Sequence, residues 1–327
     1  MPVILTITAA CLLAGFAIWS YALCPSLQKK GKGDKNALYI IAVMVISLVV
    51  HIICAASYHG HKTDMGCFSG WSAQIFQNGI SSFYTGEGFH DYPPGYMYVL
   101  YAVGALKTLF NSSGAALDVL IKFPAIVCDL ITGWLIYRIA DKKLGNARAA
   151  IISALYVFNP AVIMNSSVWG QVDSVYTLFV ALMIYLISQK QLIKSYFIFA
   201  ICIFIKPQAF IFTPVLIFGI IENVFLPKFD SQKFVKNLIW GLGAILMIVI
   251  LSLPFGLGNV IEQYKSTLAS YPYLTVNAFN IWGAFGQNWT GLTGFTSALG
   301  YILLAAIVAV SVYIFFKSKS EAKYYFT

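Results

Sequence analysis

Long uninterrupted apolar runs constrain this chain more than any other feature. Most are near 20 residues long, and at about 1.5 Å per residue a helix of that length crosses a hydrocarbon core of about 30 Å. Helices also satisfy their own backbone hydrogen bonds inside lipid. We therefore predict an all-α polytopic membrane protein with about nine transmembrane helices. The predicted spans are 3–23, 38–57, 118–138, 148–166, 173–189, 194–206, 208–226, 235–256 and 295–317.

The composition agrees with a membrane protein. Charged residues make up 10% of the chain, hydrophobic residues 59%, and the mean hydropathy is +0.78, which leaves too little charge for a soluble surface. The lysines lie in short loops and not along one face, so a nucleic-acid partner is excluded and the membrane is the predicted partner. The six cysteines are scattered singly, without zinc spacing. We predict no metal site and no cofactor, although a divalent metal stays an open alternative.

Basic residues are distributed unevenly among the loops. Of the 21 lysines and arginines, 16 lie in the loops after spans one, three, five, seven and nine. The positive-inside rule places such loops in the cytoplasm, so the N-terminus and the loops after even-numbered spans are predicted outside. Residues 1–37 then form an extra N-terminal span with its cytoplasmic loop. The first outer loop covers 58–117, within a single transmembrane domain over 1–327.

The first outer loop contains one ambiguous segment, 94–110, which is apolar and long enough for a tenth span. Counting it as a span would move Arg138, Lys142 and Lys143 to the outside, against the charge rule. We therefore predict an interfacial helix there, with its tyrosines in the headgroup zone. A second interfacial helix is predicted after Asp64, where apolar residues recur at helical spacing.

Three polar residues of this loop are candidates for chemistry. Asp64 heads the second interfacial helix, where a general base for an amphipathic substrate would lie, although a helix N-cap is the alternative role. Asp91 precedes two prolines that stiffen the backbone, which suits a carboxylate held against a substrate and equally an ordinary turn. His90 is a candidate sugar or acceptor contact, although a solvated loop histidine is the commoner case.

Two lysines near the outer boundary are candidate phosphate contacts. Lys206 ends a short span beside Pro207, and Gln208 opens the next helix; an interrupted pair of helices is tolerated where it lines a polar cavity. A lysine there is a natural partner for phosphate. Lys122 lies inside span three with Asp129 seven residues later, so a partner or a wet cavity is expected, with snorkelling as the alternative for Lys122.

Two further outer segments combine aromatic, amide and carboxylate side chains. Trp169, Gln171 and Asp173 resemble a set that contacts sugars, although Asp173 is also a good helix N-cap. Asn280 and Trp282 belong to a last outer loop rich in amides and aromatic rings. Aromatic belts at the membrane interface explain the rings but not the density of amides.

The order of these features resembles the GT-C glycosyltransferases. It is most similar to the bacterial mannosyltransferase-like proteins related to the second mannosyltransferase of GPI-anchor synthesis, with kinship to the dolichyl-phosphate-glucose-dependent transferases. The resemblance covers most of the chain from about residue 38 onward. The motifs that carry it are Asp64 with its tryptophan-bearing helix, Asp91-Tyr-Pro-Pro, Lys122 to Asp129, Phe158-Asn159-Pro160, Gln171-Val172-Asp173, Lys206-Pro207-Gln208 and the segment from Asn277 to Trp282.

This resemblance implies a GT-C-like fold and an inverting hexosyltransferase at the outer face of a bacterial plasma membrane. Asp64 would be the catalytic base, supported by Asp91, while Lys206 and then Lys122 would bind the donor phosphate. The donor would be a polyprenyl-phosphate-linked mannose or glucose, and the acceptor a lipid or glycan. Relatives usually continue beyond the last span, so we expect a truncated C-terminus.

The alternative function is a multi-span transporter or a lipid-linked sugar flippase. It would account for Lys122 and Asp129 inside a span. Transporters, however, usually place polar groups at the midplane of broken helices and show internal repeats. Here the polar residues gather at the outer boundary and no repeat is visible, so the sequence favours the transferase.

Overall fold

The computed structural model describes residues 37–86, 88–269, 271–276, 278 and 280–325. The predicted span 3–23 and most of the basic loop after it lie outside these residues. The regular structure of the described part is helical. Its α-helices are α1 (Leu38–Ser57), α2 (Lys62–Asn78), α3 (Pro94–Leu109), α4 (Gly114–Leu144), α5 (Asn146–Val157), α6 (Pro160–Ile163), α7 (Asp173–Ser188), α8 (Leu192–Ile205), α9 (Thr213–Ile220), α10 (Ser231–Ser252), α11 (Leu257–Ala269), α12 (Ile281–Ala284) and α13 (Gly294–Lys317).

Shorter helical segments connect or extend these helices. Two are π-helices, Met164–Trp169 after α6 and Ile221–Phe225 after α9. The 3₁₀ segments are Ile80–Ser82, Pro207–Phe212, Leu253–Phe255 and Glu321–Tyr325.

Five continuous helical stretches in the described residues are long and apolar enough to cross a membrane: α1, α4, Pro207–Phe225, Ser231–Phe255 and α13. A sixth crossing results if α5 and Pro160–Trp169, which are bent by 46°, act as one span. Helices α7 and α8 have 16 and 14 residues and reach only about 24 Å and about 21 Å. The multi-pass, all-α membrane protein is therefore confirmed, whereas nine spans are not.

The surface of the long helices supports their place in lipid. In α13 the most apolar window has a mean hydropathy of 2.5, yet only 11% of it is buried within the protein. The window in Ser231–Phe255 has a hydropathy of 2.4 and is 17% buried. Apolar surface of this extent is unfavourable in water, so hydrocarbon is its natural environment.

The described residues form two compact units. The first runs up to Asn78 and then over Tyr98–Leu178, while the second contains Gly79–Met97 and the residues from Phe179 onward. The prediction of a single domain over 1–327 stays a prediction.

Helices α1, α4 and α5 pack together in the first unit. Gly133 of α4 permits a close approach, because a Cβ there would lie 2.2 Å from Val157 Cγ1. The buried His51 ring joins α1 to this group, with Nε2 at 3.1 Å from the Val157 carbonyl oxygen and Nδ1 at 2.6 Å from Ser167 Oγ. The apolar core around them includes Ile40, Met44, Leu48, Val119, Ile126, Leu130 and Ala149.

The second unit is built around α8, which packs against α10 and α9. Phe218 stacks on Phe315 with ring centroids 4.7 Å apart, and Tyr324 closes the same core with 2% exposure. The chain after α13 therefore turns back onto its own unit. Other buried members are Met183, Leu192, Phe199, Val215, Leu216 and Ala244.

Candidate functional site

The loop between α1 and α2 is fixed against the end of the first π-helix. The His61 backbone N–H donates to the Trp169 carbonyl at 2.9 Å. Gly60 lies in the left-handed region with φ +97°, and a Cβ there would be 2.4 Å from that same carbonyl oxygen. Only glycine permits this approach, which carries His61 and the start of α2 to Trp169.

Gly170 ends the π-helix in the left-handed conformation, with φ 89° and ψ 24°. The backbone N–H groups of Gly170 and Gln171 both donate to the Asn165 carbonyl, at 3.1 Å and 2.9 Å. Such a left-handed glycine satisfies orphan carbonyls at a helix end. Trp169 and Gln171, on either side of the glycine, are consequently held in fixed positions.

Asp64 is the point at which these segments meet. Its Oδ2 accepts hydrogen bonds from Trp169 Nε1 at 2.6 Å and from Gln171 Nε2 at 2.7 Å. His61 stacks on the indole with centroids 4.9 Å apart, and its Nδ1 lies 3.2 Å from Asp64 Oδ2. The Asp64 side chain keeps 25% of its surface exposed. Asp64 thus forms one cluster with two predicted site residues, Trp169 and Gln171, that lie more than 100 positions away in the chain.

The position of Asp64 within α2 bears on its alternative role. It lies in the first turn of the helix, where a negative charge is favourable at the positive end of the helix dipole. The residue preceding the helix is His61, so Asp64 is not the N-cap. Its carboxylate is directed to tertiary partners instead.

Asp118 is a site residue that the sequence analysis missed. Its two carboxylate oxygens lie 2.9 Å and 3.0 Å from His59 Nδ1. Asp118 is 9% exposed, whereas the His59 side chain is 62% exposed. A signal was present, since Asp118 and Lys122 are four residues apart and share a face of α4.

Lys122 lies under the same loop and is 1% exposed. Its Nζ donates to the carbonyl oxygens of Ala55, at 3.3 Å, and Tyr58. These carbonyls belong to the C-terminal end of α1, whose last turn lacks intrahelical donors. The ammonium therefore caps α1 from α4, a position that also suits the negative end of the helix dipole.

Asp173 is the first residue of α7. Its Oδ2 accepts a hydrogen bond from Asn165 Nδ2 at 3.2 Å, and Asn165 also supplies the carbonyl that fixes Gly170. Asp173 thus supports the turn that presents Trp169 and Gln171.

Asp91 and His90 belong to the second unit. Tyr271 donates to Asp91 Oδ2 at 3.0 Å, while Gln263 Nε2 donates to the His90 carbonyl at 2.8 Å. The His90 ring is edge-on to Phe83, and burial lowers the pKa of its imidazole. The stiff loop expected before the prolines is therefore held from α11 and the chain after it.

Lys206 lies near this loop, with Nζ 5.5 Å from the centroid of the Tyr92 ring. Gln208 follows in the 3₁₀ segment Pro207–Phe212 and is exposed. Asn280 caps α12 by accepting from the Gly283 N–H at 3.0 Å, and Trp282 is half-buried in that helix. Asn280 accordingly has a structural role in the described chain.

The described residues contain no group of three or more histidine, cysteine, aspartate or glutamate side chains suited to a metal ion. The cluster around Asp64 instead combines one carboxylate, two neutral donors and an aromatic stack. Such a set recognises a polar head, through an ammonium or hydroxyl group on the carboxylate and an apolar face on the indole.

Fold and site together define a helical, multi-pass membrane protein with a polar cluster at the end of a membrane-crossing helix. The family model described as GPI transamidase subunit PIG-U matches residues 72–282, which is more than half of the chain. The chain therefore belongs to the PIG-U family. The match includes Asp91, Lys122, Trp169, Gln171 and Lys206, and it begins eight residues after Asp64. No curated protein sequence matches the chain.

The family match corrects the functional predictions. The predicted GT-C glycosyltransferase was wrong, because the matched family is a transamidase subunit. The hexosyltransferase activity, the polyprenyl-phosphate sugar donor and its lipid or glycan acceptor are overturned with it, and the flippase alternative gains no support. The motif order was a poor guide, because polar residues at the ends of membrane helices do not by themselves reveal the reaction in which a protein takes part.

Proposed function

We propose that this chain is a membrane-embedded subunit of a complex that attaches GPI anchors to proteins, and that its first unit binds the head of the glycolipid. The match to the family described as GPI transamidase subunit PIG-U carries the proposal. A subunit of this kind acts with protein partners in the membrane. It binds the glycolipid and orients it for the reaction that the complex carries out.

The chemistry of transamidation fits the cluster around Asp64. The reaction exchanges one amine for another at a carbonyl, so the incoming lipid carries an amine together with sugar hydroxyls and phosphate. Asp64 presents a carboxylate that is already oriented through Oδ2 by Trp169 and Gln171. An ammonium or hydroxyl group would approach its remaining exposed surface, and preorganisation lowers the cost of binding.

For predicted site residues in the second unit we make separate binding proposals, which do not depend on the cluster around Asp64. Lys206 is a proposed phosphate contact, since its ammonium lies near the Tyr92 ring at a helix end and lysine binds phosphate as a point charge. Asp91 and His90 are proposed contacts for sugar hydroxyls. Gln208 and Trp282 are further proposed contacts for sugar hydroxyls.

The Asp64→Asn variant tests the binding role. It keeps the size of the side chain but removes the negative charge, and a hydrogen bond to a charged group contributes about 1.5–3 kcal/mol. In cells that depend on this chain, we expect the fraction of a reporter protein that receives the anchor to fall at least tenfold, with unchanged abundance of the chain. The measurement is quantitative mass spectrometry of anchored and unanchored reporter.

Asp230→Asn is the matched control. Asp230 caps α10 by accepting from the Lys233 N–H at 3.0 Å, and asparagine caps equally well. Anchoring should then stay within twofold of the parent. The proposal fails for Asp64 if Asp64→Asn anchors the reporter as well as this control does.

We also propose the finer topology, with nine spans and an outside N-terminus. The split of basic residues supports the orientation. Single cysteines at the exposed positions Ser81 and Thr290, in a background without other cysteines, should react with an impermeant maleimide added to sealed membrane vesicles that present the predicted outer face. A cysteine at Ser231 should react only after lysis. Labelling of a cysteine at Ser231 before lysis would show that the orientation is the opposite of the proposed one.

A further inference from the structure

Three loops of the second unit meet at one end of its helices. They follow α7, the π-helix Ile221–Phe225 and α13, and together with the start of α10 they line a cavity of about 790 Å³. These are three of the loops that carry the excess of basic residues in the sequence. The cavity therefore lies on the side of the membrane that the charge rule assigns to the cytoplasm.

The cavity has an excess of positive charge. Four lysines line it, together with the single carboxylate of Glu222: Lys190, Lys233, Lys319 and Lys323. Glu222 binds two of them, with Lys190 Nζ at 2.7 Å and Lys323 Nζ at 3.1 Å. Lys319 makes no ion pair with any residue that the structure describes. Lys233 Nζ lies 3.6 Å from Asp230 Oδ2, a carboxylate outside the lining. Two carboxylates thus face four ammonium groups and leave an excess of positive charge.

The wall of the cavity is held in place by packing. The Tyr324 hydroxyl donates to Glu222, and its ring is 2% exposed. Lys323 Nζ lies 4.3 Å from the centroid of the Phe315 ring in α13. The turn after α13 is therefore a folded element of the cavity wall, and it carries Lys319 and Lys323.

Apart from the charged residues and Asn223, the lining is mostly apolar and includes Ile187, Leu192, Leu226 and Pro227. The cavity combines lysines with apolar residues and lies at the end of membrane helices. This combination fits a phosphate joined to an acyl chain better than it fits a soluble anion. Basic pockets between transmembrane helices on the cytoplasmic side are typical sites for anionic lipid headgroups. Lysine binds phosphate as a point charge without demanding one orientation.

We propose that this cavity binds the phosphate headgroup of an anionic phospholipid, at a site separate from the cluster around Asp64. Inorganic phosphate offers the same charge without the chain, and the apolar lining predicts that it binds more weakly. The bound lipid would add the counter-charge that Glu222 and Asp230 together do not provide.

The test uses the full chain purified in detergent, with dioctanoyl phosphatidic acid as the probe and native mass spectrometry as the measurement. We expect one bound phosphatidic acid at low micromolar concentration, with dioctanoyl phosphatidylcholine and inorganic phosphate each at least tenfold weaker. The double variant Lys190→Gln/Lys319→Gln should weaken phosphatidic acid binding about thirtyfold, at about fivefold per lysine. If loss of the Lys190 contact unfolds the chain, the single variant Lys319→Gln serves instead. That side chain is exposed, so the variant should fold and bind phosphatidic acid about fivefold more weakly.

The control is Lys194→Gln/Lys228→Gln, which removes the same charge from the same end of the unit. Both lysines are exposed and neither lines the cavity. This variant should bind phosphatidic acid within twofold of the parent. An equal loss in both double variants would mean general surface charge, and binding of inorganic phosphate as tight as that of phosphatidic acid would remove the lipid from the proposal. Either result overturns it.

Discussion

Gly60→Ala should destabilise the protein by about 3 kcal/mol or more and disrupt the cluster around Asp64. Two costs combine at this position. The backbone has φ +97°, which a residue with a Cβ adopts at a cost of about 1–3 kcal/mol. The new Cβ would also lie 2.4 Å from the Trp169 carbonyl oxygen, so the loop must move away and the hydrogen bond from the His61 N–H at 2.9 Å is lost.

Gly145→Ala separates these two costs. Gly145 belongs to the same unit and has φ +78°, but an added Cβ there meets no heavy atom within 4 Å. We expect this variant to lose about 1 kcal/mol, from backbone strain alone. The measurement is thermal unfolding of both purified variants in one detergent. Equal losses would show that the contact between Gly60 and Trp169 has no energetic weight.

Lys122→Met should destabilise the protein by about 2 kcal/mol. Lys122 is 1% exposed, and its ammonium donates to the carbonyls of Ala55 and Tyr58 at the end of α1. Methionine fills a similar volume but cannot donate these hydrogen bonds. A buried acceptor left without a partner costs about 1–3 kcal/mol. Relief from burying an ammonium acts in the opposite direction. We expect the loss of hydrogen bonds to prevail, because two carbonyls lose their donor. The variant also removes the positive charge one turn from the Asp118 carboxylate on α4.

The control for this variant is Lys143→Met at the other end of α4. Lys143 is exposed in the last turn, where substitutions usually change stability by less than about 0.5 kcal/mol. Unfolding midpoints of both variants in the same detergent give the comparison. A Lys122→Met protein as stable as Lys143→Met would mean that the lysine does not cap α1, and a phosphate contact would again be its best explanation.

The sequence by itself determined the class of the protein. Apolar runs of about 20 residues specify membrane helices locally, because each helix satisfies its own backbone in lipid. The helices α1 and α13 accordingly begin and end within a residue or so of the predicted spans 38–57 and 295–317. Where a run was shorter, as in α7 and α8, the pattern predicted a helix correctly but not a confirmed crossing.

Single residues of the site were also within reach of the sequence, but their arrangement was not. Asp64, Trp169 and Gln171 were each chosen for their chemistry and position. Their meeting at one carboxylate oxygen depends on Gly60 and Gly170, two glycines whose positive φ values bring distant loops together. A local pattern carries no information about that approach, since the contact spans more than 100 residues.

Tertiary structure likewise decided what the charged residues do. The sequence placed Lys122 inside a span, and the structure adds that its ammonium donates to carbonyls at the end of a neighbouring helix. The phosphate contact stays a prediction. Asp118 was not predicted as a site residue, and the fold pairs it with His59. Glu222 likewise acquires its role from the fold, which brings Lys190 and Lys323 to it from different loops. A buried charge must find a partner, and the partner is chosen by the fold and not by the neighbouring sequence.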